Sequence, residues 1–401
     1  MGVVACGSSG EGGKVSRSGD LPVLDLAGTP RERGRGHGEA LRGRIHELTA
    51  RWKADIAADL GMAPEAYIDL LVETNDFLAP AHRWAPDLVE EVAGIAEGSG
   101  VDFKTTFARQ LADEDFWFRL ERKFGGQPRS EQCSSLGAVN PDGSVLVAQN
   151  MDLPAYWDGY QALLRIRQAG GLDACVFTAA GQIALCGMNS RGVGICCNTI
   201  LQCDHSHSGL PEAFVVRSVL AQPDLDAAIG FISQVRHASP QNYLLGGRER
   251  VVDLEVSANR ISRFVSAAGA DRVYHTNHPL VNDDRGQWRA LLAAMPADRR
   301  EVFAAGGSSF SRCATLEGRF RDAAGPVMVD GIKAVLSSHE GDVCRHGSAE
   351  GIASVTFGCA IMELAPAPRL HLAPGPGCET EFRTYCKPGS VLSSKWRLLS
   401  F

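Results

Sequence analysis

The chain has 401 residues, 44% hydrophobic and 22% charged, which is enough apolar material to bury a sizeable core. Its formal net charge of −7 argues against a dedicated nucleic-acid binder, and no apolar run reaches transmembrane length. Twelve cysteines without an N-terminal export signal read as buried thiols of a reducing compartment, so a cytoplasmic location is expected.

Residues 1–20, rich in glycine and serine, read as a flexible leader. A short strand is expected over Leu21 to Leu26. Thr29 then caps a helix that has Pro30 in its first turn and Glu32 favourably placed near its N-terminus. To about Leu120 the spacing is helical: Leu41, Ile45, Leu48 and Trp52, then Leu70, Leu71, Phe77 and Leu78. Asp87 to Glu97 forms a further helix stopped at Gly98-Ser-Gly100. An exposed loop is expected at Phe124 to Pro128.

Strands dominate from Cys133 onward. Ser134 to Val139 and Val145 to Ala148 flank a Pro141-Asp-Gly-Ser144 turn, a hairpin signature. A second hairpin is expected from Gln182 to Leu185 and Gly194 to Cys197, around Asn189-Ser-Arg-Gly192. Helices follow at Glu212 to Leu220 and Leu225 to Val235. Strands return at Asn242 to Leu245, Val251 to Leu254, Arg272 to His275, Ala353 to Leu364 and Arg369 to Leu372. A helical first third followed by strands and intervening helices predicts an α+β protein with antiparallel sheets, not a wound parallel sheet.

Cys133 sits where loop gives way to strand, a place where a chain can be cut without breaking a core element. The hairpin returns Gln149-Asn-Met-Asp152 towards it, so Asp152 can approach Cys133. On the residues alone, a buried cysteine at a strand start and a turn-capping aspartate explain the pair equally well.

The stretch from Cys133-Ser-Ser through Gln149-Asn-Met-Asp-Leu153 resembles the nucleophile hairpin of the acyl-coenzyme A:6-aminopenicillanic acid acyltransferase family. This is peptidase family C45 of the N-terminal-nucleophile hydrolases, with carcinine and β-alanyl-dopamine hydrolases among its members. Further segments resemble it in order: Gly28-Thr-Pro-Arg-Glu-Arg-Gly34 with His37-Gly38, Gly187-Met-Asn-Ser-Arg-Gly-Val193 with Asn198, and His275-Thr-Asn-His-Pro279. Cys344-Arg-His346 with Ile352-Ala-Ser-Val355, and Ala373-Pro-Gly-Pro-Gly-Cys-Glu379, complete the set. The resemblance spans roughly residues 21 to 386.

The resemblance implies a four-layer αββα sandwich and a precursor that cleaves itself between Gln132 and Cys133. Residues 21–132 would then form a retained α-chain and residues 133–401 a β-chain, the two staying associated as one unit. Cys133 would be the nucleophile with its new α-amine as base, Asp152 would hold that amine, and Asn277 would be the oxyanion donor. Asn198, Arg167 and Arg345 are further oxyanion or substrate contacts implied by position. The family's arginine just before its last sheet segment finds no counterpart at Glu350-Gly351. The implied reaction is hydrolysis of a small N-acyl compound or transfer of its acyl group to an amine. No bound cofactor is expected, although acyl-coenzyme A or another acyl thioester could serve as co-substrate. The partners implied are a small-molecule acyl donor and acceptor, with no nucleic acid and no membrane.

Three other readings compete. Cys196, Cys197, Cys203, Asp204, His205 and His207 are zinc-type residues, but they show no paired CxxC or HExxH spacing, so no metal is expected. His275 or His278 could instead serve an internal Cys133 as base in an uncleaved cysteine hydrolase. A non-catalytic, ligand-binding chain is the third.

Overall fold

The structure, a computed structural model, describes residues 21–122, 132–168, 171–297, 300, 307–321, 325–346, 354–365 and 367–386. The expected leader at 1–20 and the expected loop at 124–128 lie outside them.

Helices fill the first third. A short strand, β1 (Val23–Leu26), leads into α1 (Pro30–Ala40), α2 (Arg42–Leu60), α3 (Pro64–Glu73), α4 (Leu78–Trp84), α5 (Pro86–Ser99), α6 (Phe103–Ala108) and α7 (Ala112–Arg122). Thr29 caps α1 reciprocally: its N–H donates to Glu32 Oε2 at 2.8 Å, and Glu32 N–H donates to Thr29 Oγ1 at 3.3 Å. Leu48, Ile56 and Leu71 are fully buried, each contributing roughly 1.5–3 kcal/mol. The stop expected at Gly98-Ser-Gly100 falls at Gly100, which takes φ +78°. Gly98 stays inside α5 because α1 and α5 cross backbone against backbone, Gly34 and Gly38 of one meeting Gly94 and Gly98 of the other. A Cβ on Gly98 would sit 2.8 Å from Glu39 N and nearer still to Arg35 O.

The hairpin expected after Cys133 is present. β2 (Ser134–Val139) and β3 (Val145–Pro154) pair antiparallel with Ser134 opposite Asn150, and Gly143 turns the chain at φ +81°. Next come β4 (Gln161–Arg167), β5 (Asp173–Ala179), β6 (Cys186–Asn189) and β7 (Gly194–Thr199), then α8 (Glu212–Val219) and α9 (Leu225–Gln234). Strands β8 (Gln241–Gly246), β9 (Val251–Val256), β10 (Ile261–Phe264) and β11 (Arg272–His275) follow. Helices α10 (Gly286–Ala294), α11 (Ser309–Arg321) and α12 (Val329–Leu336) precede β12 (Ser354–Ala365), β13 (Arg369–Ala373) and β14 (Arg383–Cys386). One expected strand is corrected: Gln182 to Leu185 is irregular. Gln182 Nε2 donates to Arg109 O at 2.7 Å and Ile183 N–H to Gln110 Oε1 at 2.9 Å, so the segment is tied to the end of α6 and the strand begins at Cys186.

The strands form two sheets. One has eight strands in the order β1-β4-β5-β6-β7-β8-β9-β10, and the other has six in the order β11-β2-β3-β12-β13-β14. Only β1 with β4 runs parallel among these neighbours. The sheets stack face to face, with Gly137 of β2 lying under Leu244 and Val251. On the outer face of the six-stranded sheet, Leu136, Ala138, Leu146 and Ala148 pack against Leu316 and Phe320 of α11 and Ile332 and Leu336 of α12. On the outer face of the other sheet, Thr199 bonds Asp113 of α7 and Cys197 bonds Glu212 of α8. These are the four αββα layers of an α+β sandwich, as the family resemblance implies. Among the described residues, no helix is long and apolar enough to cross a membrane. Cys175 is disulfide-bonded, which corrects the expectation of a thiol at that position.

Candidate active site

Cys133 is buried at the end of the six-stranded sheet, immediately before β2. Strand pairing runs one step beyond it: Gln132 N–H donates to Asp152 O at 3.3 Å, so the Gln132–Cys133 bond lies beside Asp152. Cys133 N–H donates to Asn277 Oδ1 at 2.7 Å. Asn277 follows β11, whose His275 pairs with Ser135 of β2, and this pairing carries the asparagine back to the cysteine. Its amide orientation is set by its neighbours. Oδ1 also accepts from Arg312 Nη2 at 2.9 Å, and Nδ2 donates to Thr199 O at 3.0 Å. In the uncut chain, Asn277 therefore offers an acceptor to the Cys133 nitrogen, while its donor faces Thr199.

Asp152 is fully buried on β3. Thr356 Oγ1 of β12 donates to its Oδ1 at 2.7 Å, and its Oδ2 has no hydrogen-bond partner among the described residues. A bulge at Phe357, between Thr356 and Gly358, breaks the β3–β12 register beside this contact, a common device for re-aiming a side chain. Burial pushes the Asp152 carboxyl up to about 7, against the lowering pull of Arg312, the Thr356 bond and Arg345.

Two arginines frame the bond. Arg312, in the first turn of α11 and fully buried, donates to Cys133 O through Nη1. The same nitrogen reaches Ser134 Oγ at 3.0 Å, and Nε reaches Ser308 Oγ at 3.2 Å. Burial lowers its pKa to about 10 although Asp152 and Cys133 pull it up, so it remains a cation at neutral pH. Arg345 donates through Nη1 to Gln132 Oε1 and, at 3.2 Å, to Ser308 Oγ. Ser308 Oγ in turn donates to Gln132 Oε1 at 2.5 Å. The Arg345 N–H donates to Thr356 Oγ1 at 2.9 Å, linking this arginine to Asp152 through one threonine.

The structure thus brings together Gln132, Cys133, Asp152, Asn277 and Arg345. Asn198 lies between the sheets, where Nδ2 donates to Ser135 Oγ at 2.7 Å and to Asn242 Oδ1 at 3.3 Å, and Oδ1 accepts from Gln149 at 3.1 Å. Arg167 is not brought to the corner; it is the exposed last residue of β4 in the other sheet, opposite Asp173. The residues that sequence reasoning missed are Arg312, Ser308, Ser309 and Thr356. Nothing in Ser308-Ser-Phe-Ser-Arg312 distinguishes that arginine from an exposed one such as Arg319. Thr356 adjoins the Ile352-Ala-Ser-Val355 segment and could have been taken with it.

The histidines near Asn277 are already engaged. His275 donates from Nε2 to Glu255 Oε1 at 2.8 Å and from Nδ1 to Thr276 O at 2.8 Å. Burial opposes its charge, but Asp253 and Glu255 outweigh burial and raise its pKa, and both ring nitrogens already face acceptors, which leaves neither for Cys133. His278 Nδ1 faces Ser309 Oγ at 2.8 Å, and burial lowers that ring to about 4. Of the zinc-type groups from Cys196 to His207, only His205 and His207 come together, both meeting Glu121 at 2.7 and 3.2 Å, while Cys196 is in the core and Cys197 bonds Glu212.

The site thus lies in a four-layer αββα sandwich, with a cysteine just before β2 flanked by a buried aspartate and an asparagine. Residues 139–294 match the sequence model of the family described as acyl-coenzyme A:6-aminopenicillanic acid acyl-transferase. A curated relative from Emericella nidulans, the 40 kDa form of acyl-coenzyme A:6-aminopenicillanic-acid-acyltransferase, is 27% identical over 260 residues. That alignment covers 64% of this chain and 68% of the relative. Two variants of conjugated bile acid hydrolase from Clostridium perfringens align at 12% and 11% identity with TM-scores of 0.39 and 0.40. They cover 63% and 66% of this chain, and 96% and 100% of their own. Penicillin V acylase from Agrobacterium tumefaciens aligns at 10% identity with a TM-score of 0.37, covering 60% of this chain and 83% of its own.

Proposed function

We propose that this chain is a self-activating cysteine acyltransferase or amidohydrolase whose nucleophile is Cys133. The observation that carries the reading is the Cys133 nitrogen, held at 2.7 Å by Asn277 Oδ1 in a corner where Asp152 keeps one carboxylate oxygen unpartnered. In processing, Cys133 Sγ bonds to the Gln132 carbonyl carbon and the C–N bond breaks. The thiol proton passes to the departing nitrogen. Water then opens the thioester, leaving a Gln132 carboxylate and a Cys133 that carries a free thiol and α-amine. An α-amine has a pKa of roughly 8 and can act as base for its own thiol. Asn277 Oδ1 would keep this amine in place and Asp152 would balance its charge, while Arg312 holds the Cys133 carbonyl.

The mature enzyme would accept the acyl group of a small amide, or of an acyl thioester such as acyl-coenzyme A, as an acyl-Cys133 intermediate. It would then pass that group to water or to an amine. The family match supports acyl transfer to and from small molecules. The internal cysteine–histidine alternative is disfavoured by the doubly donating His275. Intact mass under denaturing conditions tests the proposal. Cutting the 42.9 kDa chain before Cys133 gives pieces of roughly 14 and 29 kDa, the larger beginning at Cys133, and a Cys133→Ala variant gives one uncut mass. One uncut mass in both proteins would overturn it.

A further inference from the structure

Four side chains that this chemistry does not use converge on one point. His339 and His346 face each other Nε2 to Nε2 at 2.9 Å. Cys378 Sγ lies 3.0 Å from His346 Nε2 and 3.4 Å from His339 Nε2, and Cys344 Sγ lies 3.4 Å from Cys378 Sγ. All four atoms fall within 4.8 Å of one another. Thiols are weak donors and weak acceptors, so neutral groups gain little from this arrangement. A tetrahedral ion with metal–nitrogen and metal–sulfur bonds of about 2.0–2.3 Å would separate its ligand atoms by roughly 3.3–3.8 Å, a few tenths of an ångström beyond these distances.

We propose that His339, Cys344, His346 and Cys378 bind one zinc ion as a closed structural site. Two thiolates and two imidazoles are the soft and borderline ligands that suit zinc and disfavour calcium or magnesium, and four protein ligands leave no open position. Each thiol gives up its proton to solvent when the metal binds. Two further features point the same way. His346 Nδ1 donates to Glu379 Oε1 at 2.9 Å, which fixes the proton on Nδ1 and frees the Nε2 lone pair for a metal, the usual outer partner of a ligating imidazole. The loop bearing three of the ligands is also pre-shaped. Gly341 and Asp342 take successive left-handed conformations at φ +64° and +66°, and Cys344 N–H donates to Ser338 O at 2.8 Å. A Cβ on Gly341 would sit 2.7 Å from Ser311 O, so the loop lies directly on α11. The other gathered group, Glu121 with His205 and His207, offers only three ligands, which already contact one another at 2.7 and 3.2 Å.

The site would pin the loop after α12 to the turn after β13. Arg345 lies between two of the ligands, so zinc would also hold the arginine that reaches Gln132. That consequence rests on the proposed processing, whereas metal content does not, so the two readings fail separately. The test is elemental analysis of reduced, untagged protein, followed by cobalt(II) substitution. The expected result is about one zinc per chain and a thiolate-to-cobalt charge-transfer absorption that weakens in Cys378→Ser and is lost when Cys344→Ser is added. Should Cys378→Ser fail to fold, Glu379→Gln leaves all four ligands in place. It should lower zinc affinity roughly 10–100-fold in competition with a chromophoric chelator. Folded wild-type protein that neither contains zinc nor takes up added Zn2+ would overturn the site. So would a Cys344–Cys378 disulfide in place of the two thiols, or unchanged zinc affinity in Glu379→Gln.

Discussion

The α1–α5 crossing and the corner around Cys133 are both buried, yet they are held by opposite means. At the crossing, four glycines let two backbones touch and the nearby charges pair, although His37 Nδ1 and Arg217 Nε, both buried, have no hydrogen-bond partner among the described residues. Glu91 pairs with Arg33 at 3.2 Å and Arg217 at 3.3 Å, and His37, held neutral by burial with a pKa lowered to about 4, accepts from Gly181 N–H at 3.1 Å. In the corner, side chains do the work that backbone does at the crossing. Arg312, Arg345, Ser308 and Thr356 converge on Gln132, Cys133 and Asp152, and one carboxylate oxygen is left over. An unsatisfied oxygen beside a nitrogen that becomes an ammonium in the proposed processing suits a site, because it delays the gain until the charge appears.

The largest effect should come from the crossing. Gly98→Ala forces a Cβ into the α1 backbone, where no rotamer change can relieve it, and should cost about 4 kcal/mol or more. Urea unfolding measures this directly. A loss below about 1 kcal/mol would show that the helices can separate cheaply and would remove the contrast with the corner.

A smaller effect, of opposite character, is expected at Asp152. Its folded pKa is raised to about 7, so between about pH 4 and 7 the native chain keeps a proton that the unfolded chain has released. Its contribution is therefore most favourable below that window and is lost as pH rises through it. The shift corresponds to at most roughly 4 kcal/mol, and relaxation of the surroundings should leave about 2 kcal/mol. In the proposed processing Cys133→Ala leaves the chain uncut, so the comparison is between Cys133→Ala and Cys133→Ala with Asp152→Asn. Going from pH 4 to pH 8, the double variant should gain about 2 kcal/mol on the single one in urea unfolding. A pH-independent difference would mean that Asp152 is ionised throughout and that its open oxygen is solvated.

The same contrast explains what could be read from the sequence. The Thr29 cap and the hairpin turn at Pro141 to Ser144 are local signals and lie where they were expected, whereas the helix read through Leu70, Leu71, Phe77 and Leu78 is broken between α3 and α4. The Cys133 and Asp152 pairing was legible because hairpin register is a short-range rule, and Asn277 came from the family resemblance. Arg312 was not legible, since its role depends on α11 packing over the end of β2, a contact between residues 179 positions apart. The stop expected at Gly98-Ser-Gly100 falls within that run, at Gly100, but the role of Gly98 at the crossing was not legible, because it depends on a second helix laid across it. The cysteine- and histidine-rich segment from 196 to 207 drew attention by proximity in sequence. The tighter His339, Cys344, His346 and Cys378 cluster was missed because its last member lies on a different loop.

The smallest effect sharpens the glycine argument. Gly43, near the start of α2, is exposed, and a Cβ placed on it meets no atom within 4 Å. If glycines in this helical region matter only where backbones touch, Gly43→Ala should be stabilising. The gain expected is roughly 0.5–1 kcal/mol, because alanine loses less backbone freedom on entering a helix. Gly43→Ala and Gly98→Ala make the same chemical change in neighbouring helices, so opposite signs in urea unfolding would isolate the crossing as the cause. Destabilisation at Gly43 would instead mean that this stretch depends on glycine for reasons other than contact, and the Gly98 result would then lose its specific meaning.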